Sequence, residues 1–467
     1  MTMVFKRKAF LFFGYATLIC MIGVFPLSAQ MSGDNSVTLT VDEAVDYALQ
    51  NSKTLKSAAV DLEMARRADA MAWNIFLPTV QVSGTMARMN EYTDYTTTIL
   101  EMLGPALGMV TTSSTVSESD HWSAFANFSV SIAGFNLAFI DSLKAAKANY
   151  EAGLITWEQT LKETELNIRK VFYGLLLQQE SLSLQQQALE NARERASQAE
   201  INYANGYIPE LSLLQAQVAY ENQKPAILQA EQALLQQLDM FAFLLGMPIG
   251  TDITLNGAIE PEFVELDAND LVYQYLGNRL DVQSFAKSKE LLGIQLSSLN
   301  FQSFTPTLTL SYGWQPAVSD ITENWFDSDN VSDGGAFSAT IGWNLMNMLP
   351  FSSVRQQAQD VKDNMQKMDL QYETLIQNAE MQVRNLVDTL QYSEISIDAM
   401  QNSIALAQRS YDMTVAAYNN GSTELLDVRD AETQLNQALL ADLSERYNYL
   451  SSLLDLEYAL NTQLRNK

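Results

Sequence analysis

One histidine, His121, and one cysteine, Cys20, are all that 467 residues offer for imidazole or thiolate chemistry. A single imidazole excludes His-pair metal sites, and it could complete a Ser/His/Asp triad only by serving that triad alone. Thioethers are more plentiful. Met346, Met348, Met365 and Met368 form the densest group among 19 methionines, a soft-ligand pattern that a copper ion would suit. Methionine is also the residue that fills irregular gaps between packed helices, and that reading is preferred. The chain therefore reads as a non-enzyme with no cofactor and no resident metal. Its 55 acidic against 28 basic residues give a net charge of -27, which argues against nucleic acid as a partner. At 47% hydrophobic and 18% charged, it can build a large core.

The first 29 residues read as a signal peptide. Lys6, Arg7 and Lys8 precede an apolar run from Ala9 to Leu27, and the small residues Ser28 and Ala29 follow, with cleavage expected after Ala29. A retained anchor helix is the alternative, since 19 apolar residues approach spanning length. Leu18 and Ile19 precede Cys20 where a lipoprotein signal needs small residues, so Cys20 is not read as a lipidation site. Removing the leader leaves 25 basic against 55 acidic residues, a net charge of -30, and no cysteine. Beyond Ala29 no apolar run reaches the ~20 residues of a membrane helix, so any insertion must use strands.

The remainder is written twice, over 30–250 and 251–467. Tyr203, Ala204, Asn205, Gly206 match Tyr418, Asn419, Asn420, Gly421 at an offset of 215, which also pairs Arg169 with Arg384 and Leu245 with Leu460. Leu49 and Asn51 match Leu276 and Asn278 at 227, and Pro78-Thr79 match Pro306-Thr307 at 228. Ser/Thr/acid-rich segments at 91–121 and 315–335 read as variable loops.

Each copy has one order of elements. Apolar spacings of three and four with few breakers predict helices over 41–76 and 268–304, closed by Pro78 and Pro306. Period-two alternation predicts strands over 79–90, 122–134, 306–314 and 336–344. One strand face is apolar, carrying Val80, Val130, Leu310 and Ile341, and the other is mostly Ser, Thr, Gly and Asn rather than charged. That contrast suits a transmembrane barrel with an apolar outside and a polar lumen. Long helices follow over 137–204 and 352–419, with return helices over 210–244 and 424–462. From Phe351 to Asn420 no Gly or Pro occurs, which allows roughly 105 Å of helix. Its seam of alternating three and four steps, from Ile376 through Val383, Leu390 and Ile397 to Tyr411 and Tyr418, predicts coiled-coil packing, with Ser393 as the exception. Gly206 and Gly421 supply the turns at the far end. Four strands per chain cannot close a barrel when about eight is the minimum, so an oligomer is required.

The duplicated order, the prolines opening strands, the Tyr-x-x-Gly tips and the Leu-Leu-Gly-Met-Pro stretch at 244–248 resemble the TolC-like outer-membrane efflux family over the whole mature chain. The resemblance implies a mainly α fold with β: long coiled helices forming a periplasmic α-barrel, and four strands per chain contributing to a trimeric 12-stranded outer-membrane β-barrel. Two chains would already give eight strands, so the choice of a homotrimer comes from the resemblance. It implies an exit duct in the outer membrane that works with a periplasmic adaptor and an inner-membrane transporter. The tips around Asn205, Gly206, Asn420 and Gly421 would then meet the adaptor. Asp427 and Asp430 fall at the positions of an aspartate ring narrowing the pore, with Tyr418 and Thr423 beside them. Thr423 departs from the family, since many relatives carry a basic residue there, and Arg429 lies on a different helix face. The aspartates also suit a solvated helix start favoured by its dipole. Type I protein secretion and a soluble periplasmic coiled-coil scaffold are the alternative functions.

Overall fold

The computed structural model of the chain describes residues 36–89, 121–318 and 331–464. The expected leader, most of the 91–121 segment, Trp325 and Phe326 lie outside them. Among the described residues the order is β1 (Ser36–Leu39), α1 (Val41–Asn51), α2 (Lys53–Ala70), β2 (Thr79–Met89), β3 (His121–Phe135), α3 (Ala138–Ala204), α4 (Glu210–Leu245), β4 (Asp252–Leu255), α5 (Ala268–Tyr275), α6 (Leu280–Phe304), β5 (Thr307–Val318), β6 (Val331–Gly342), α7 (Ser353–Asn419) and α8 (Leu425–Leu460).

The long helices α3 and α7 have 67 residues each and span about 100 Å. Their returns, α4 and α8, have 36 each, so the hairpins of the two copies match in length. Along the sheet-side half of the long helices, α1 and α2 pack on α3, and α5 and α6 on α7. These shorter segments are not the continuous helices expected over 41–76 and 268–304. The chain turns extended at Ser52 (φ −53°, ψ 127°) and at Arg279 (φ −59°, ψ 132°), positions related by the offset of 227. No Gly or Pro marks the first break, whereas the second follows Gly277 in the 3-10 turn Leu276–Asn278. Tertiary contacts hold the second: the Arg279 guanidinium forks onto Asp281 at 2.8 and 3.1 Å and reaches Gln382 on α7 at 3.1 Å. The first helix also stops early, with α2 ending at Ala70 and Ala72–Phe76 winding into a 3-10 turn.

The main sheet is antiparallel throughout, in the order β2-β3-β5-β6. Its register aligns like with like. Val80 faces Val130, which faces Tyr312, which faces Phe337, while on the other parity Ser131 pairs with both Thr79 and Ser311, and Ser311 with Ser338. Two hydroxyl pairs, Thr79 with Ser131 at 2.8 Å and Ser311 with Ser338 at 2.7 Å, tie the polar face. The apolar face is uncovered in the single chain, with Ile341 74% and Val82 71% exposed. β5 and β6 run longer than expected: Gln315 to Val318 pair with Gly334 to Val331, so both ends of the supposed 315–335 loop are strand. β6 ends at Gly342 rather than 344.

A second, parallel sheet joins β1 to β4, Val37 opposite Ile253 and Leu39 opposite Leu255. Sequence reading missed it, although Val37-Thr38-Leu39 and Ile253-Thr254-Leu255 are an internal repeat. β1 and β4 share an apolar core with α1, α3 and α4, centred on Phe172, Phe241 and Leu245. The second copy builds its own core from α5, α7 and α8 around Val383, Leu390, Tyr449 and Leu453. Ser393 is buried in the α7 seam because its hydroxyl donates to the Glu445 carboxylate at 2.6 Å, which satisfies it against α8.

Candidate functional site at the helix tips

Both tips close with one hydrogen-bond pattern. Gly206 N–H donates to Tyr203 C=O at 2.9 Å and Tyr207 N–H to Asn202 C=O at 2.8 Å; Gly421 and Ser422 donate to Tyr418 and Ala417 at the same distances. This six-to-one and five-to-two pairing needs a left-handed residue just past the helix, and Gly206 (φ 74°) and Gly421 (φ 73°) provide it. Open space surrounds both glycines, so a side chain there would meet only the backbone penalty of roughly 1–2 kcal/mol. Asn205 and Asn420 are the exposed residues one step before, and the Asn205 amide donates back to Ile201 C=O at 2.8 Å.

Beyond the turns the copies diverge. The first tip exposes Tyr207, 79% accessible, where the second has Ser422, while Leu211 and its equivalent Leu426 are exposed on both; the sequence reading did not single out this apolar surface. The second tip starts α8 with a cap from its third residue: the Asp427 carboxylate accepts from Glu424 N–H at 3.2 Å, and Asp427 N–H donates to the Glu424 C=O at 3.2 Å. Thr423, half-buried, donates its hydroxyl to the same Asp427 oxygen. Its expected place beside the aspartate is thus met by a hydrogen bond rather than by a charge. Asp427 and Asp430 are both exposed on one face of α8, and Tyr418 is half-buried in the α7 seam.

The Thr423 hydroxyl, then the Glu424 N–H, hold the Asp427 carboxyl below its ordinary pKa. A depressed carboxyl stabilises the fold above its unfolded pKa and stops doing so as pH falls through the folded one. Thr423→Val should therefore make amides at the start of α8 lose hydrogen-exchange protection at a higher pH than in wild type. An unchanged pH profile would show that Thr423 does not govern this carboxylate.

The two hairpins meet through charge near the tips. Glu432 on α8 is 5% exposed, bound by the Arg195 guanidinium and by the Asn191 amide at 2.8 Å, both from α3. Burial and then the Glu432 carboxylate raise the pKa of the neighbouring Tyr411 phenol on α7. The available signal was an acid inside a run of buried α8 positions, Val428, Ala431 and Leu435. Elsewhere the methionine group comes apart: Met365 packs in the α6–α7 core with Leu299 and Val361, whereas Met346 and Met348 are exposed on a 3-10 turn after β6 rather than filling helix gaps. Among the described residues no group of three or more His, Cys, Asp or Glu could hold a metal ion.

A family model described as outer membrane efflux protein matches residues 44–247 and 271–462. Nodulation protein T of Rhizobium leguminosarum bv. trifolii is 21% identical over 288 residues, 60% of this chain and 59% of that protein, so less than two thirds of its length is spanned. Cation efflux system protein CusC of Escherichia coli K12 is 24% identical over 341 residues, 70% of this chain and 68% of its own. The crystal structure of the Campylobacter jejuni CmeC outer membrane channel superposes with a TM-score of 0.73 at 16% identity, covering 91% of this chain and 87% of that one. With both hairpins and the strand order in place, the matched model covers most of the chain, which belongs to the outer membrane efflux protein family.

Proposed function

We propose that the chain is the exit duct of a tripartite efflux system, carrying small molecules from an inner-membrane transporter and a periplasmic adaptor across the outer membrane. The observation that carries this is the sheet. One face is apolar along most of its length, with Arg88 beside Trp122 and Asp333 beside Pro316 at the end away from the helices, the other is mostly small and polar, and among the described residues both edges, β2 and β6, are unpaired. A periplasmic scaffold would leave such a face against water. In a four-stranded antiparallel sheet the two edges run opposite ways, so copies can join edge to edge without breaking the alternation. Three copies give twelve strands, which the family resemblance favours over two.

The helices support the same assembly. α4 exposes Leu214, Leu228 and Leu235, and α7 exposes Tyr392, Leu406 and Met413, each set 14 and then 7 residues apart. Each hairpin thus carries a second seam for a neighbour in a ring. The tips divide the remaining work. Tyr207 and Leu211 around Asn205 and Gly206 offer apolar area to the adaptor, with Asn420 and Gly421 beside them, while Asp427 and Asp430 of three copies put six carboxylates around the axis.

Cells lacking the chain should accumulate a fluorescent pump substrate and lose the excess on complementation, and Gly206→Val with Gly421→Val should insert normally yet cross-link poorly to the adaptor. If instead dye accumulation is unchanged and one polypeptide is retained inside the cell, the duct serves type I secretion.

A further inference from the structure

We propose that two apolar 3-10 turns at the helix end of the sheet, Ala72–Phe76 and Leu345–Met348, are lipid-binding feet that seat the chain in the phospholipid leaflet facing the periplasm. This rests on the reading of the sheet as membrane-spanning. The paired ends Thr79–Ser131, Phe135–Leu308 and Thr307–Gly342 lie at one level. The first turn runs directly into β2 and the second directly out of β6, so both sit at that level on the two edge strands.

Phe76 turns in onto Phe135 and Phe139, and the large side chains around it that face outward are apolar. Trp73 is 54% exposed and Phe351, just past the second turn, 77%, with Leu345 and Met346 exposed between. Their backbone is closed inward: Asn74 and Leu77 N–H donate to Met71 and Asn74 C=O, both at 2.9 Å. Around the second turn the Asn344 side chain accepts from Met346 N–H at 3.2 Å, and the Ser352 hydroxyl donates to Asn347 C=O at 3.1 Å. Satisfied backbone beneath an apolar surface is what a lipid environment demands. Charge is also missing. No Asp, Glu, Lys or Arg occurs from Ala70 to Ala87 or from Gly334 to Val354, so the uncharged zone of each edge strand continues through its turn.

The duplication supplies an internal control. Gly134-Phe135-Asn136-Leu137 and Gly342-Trp343-Asn344-Leu345 are equivalent, yet α3 begins at the next residue, Ala138, whereas α7 begins at Ser353. The intervening residues are not required by the path from strand to helix. On the other side, α6 runs to Phe304 ahead of β5, whereas α2 stops at Ala70 and the turn replaces its end. Trp343 continues the alternation of Phe337, Ala339 and Ile341, which makes the second foot continuous with the apolar strand face. That continuity selects lipid as the occupant over a second copy.

Three single-tryptophan proteins test this, keeping Trp73, Trp343 or the mid-sheet Trp314 and replacing the other five with Phe. Each assembled protein is reconstituted in phosphatidylethanolamine and phosphatidylcholine vesicles brominated either near the headgroup or near the acyl-chain end. Trp73 and Trp343 should lose more fluorescence to the shallow bromine than to the deep one, and little to aqueous iodide, while Trp314 is quenched by the bromolipids. Quenching of Trp73 and Trp343 by iodide alone overturns the feet in favour of a wet surface, and protection from all quenchers overturns them in favour of cover by a second copy. If Trp314 also escapes both bromolipids, the membrane reading of the sheet fails with them.

Discussion

Arg195→Ala should lower hydrogen-exchange protection of α8 around Glu432 by roughly 10²–10⁴, the equivalent of about 3–5 kcal/mol for an abandoned buried charge. Glu432 is almost fully enclosed, and among the described residues Arg195 is its one cationic partner in the ion-pair geometry, with Asn191 giving a neutral donor. Glu432→Gln should cost less, because a neutral amide keeps the Asn191 contact without needing a counter-charge. The double change Arg195→Met with Glu432→Leu should recover most of the loss, since well-packed apolar replacements of buried ion pairs are commonly neutral or stabilising. A loss of protection under tenfold in Arg195→Ala would mean that the hairpins are held by their apolar contacts and that the pair is incidental.

The second large effect concerns the sheet. Phe128→Arg should cost about 2–4 kcal/mol if the residue sits near the bilayer midplane, and Ser129→Arg much less. Phe128 lies between Val82 and Trp314 on the apolar face, whereas Ser129 lies between Gln81 and Gly313 on the polar one. The same contrast should hold for Phe337 against Ser338, which pair with Tyr312 and Ser311. The fraction of heat-resistant assembly recovered from membranes reads this out. Equal losses for the neighbouring positions would contradict the assignment of faces.

Elements that repeat a simple period were legible in the sequence. The helix expected over 137–204 is α3 at 138–204, and the parity of all four strands follows from alternating residue size and polarity alone. The tips were legible because glycine takes the left-handed conformation after a helix without a steric penalty. What escaped was set by tertiary contact. The break at Ser52 carries no local breaker, and the one at Arg279, although it follows Gly277, is held by Gln382, more than a hundred residues away. β1 and β4 are four residues each and gain their stability from pairing across the duplication. Glu432 was not singled out in the sequence, because its partners Arg195 and Asn191 lie more than two hundred residues away on α3. At the second tip, the preference of an acid for a helix start was readable, but the Thr423 hydroxyl that binds Asp427 was not, because the search there was for a basic side chain.

Single-channel recording on purified, reconstituted assembly is the most direct test of a duct narrowed by acid at its second-copy tips. Asp427 and Asp430 are exposed and three residues apart on one helix face, and Ala at both keeps a helix former at each position. The wild-type pore should prefer cations and be blocked by a trivalent cation added from the tip side. The Asp427→Ala, Asp430→Ala double variant should lose the block and much of the selectivity, whereas Ala at Glu210 and Glu221 on α4 should change little. A double variant that keeps wild-type block affinity, or an assembly that conducts no ions at all, would contradict the proposed channel and its constriction.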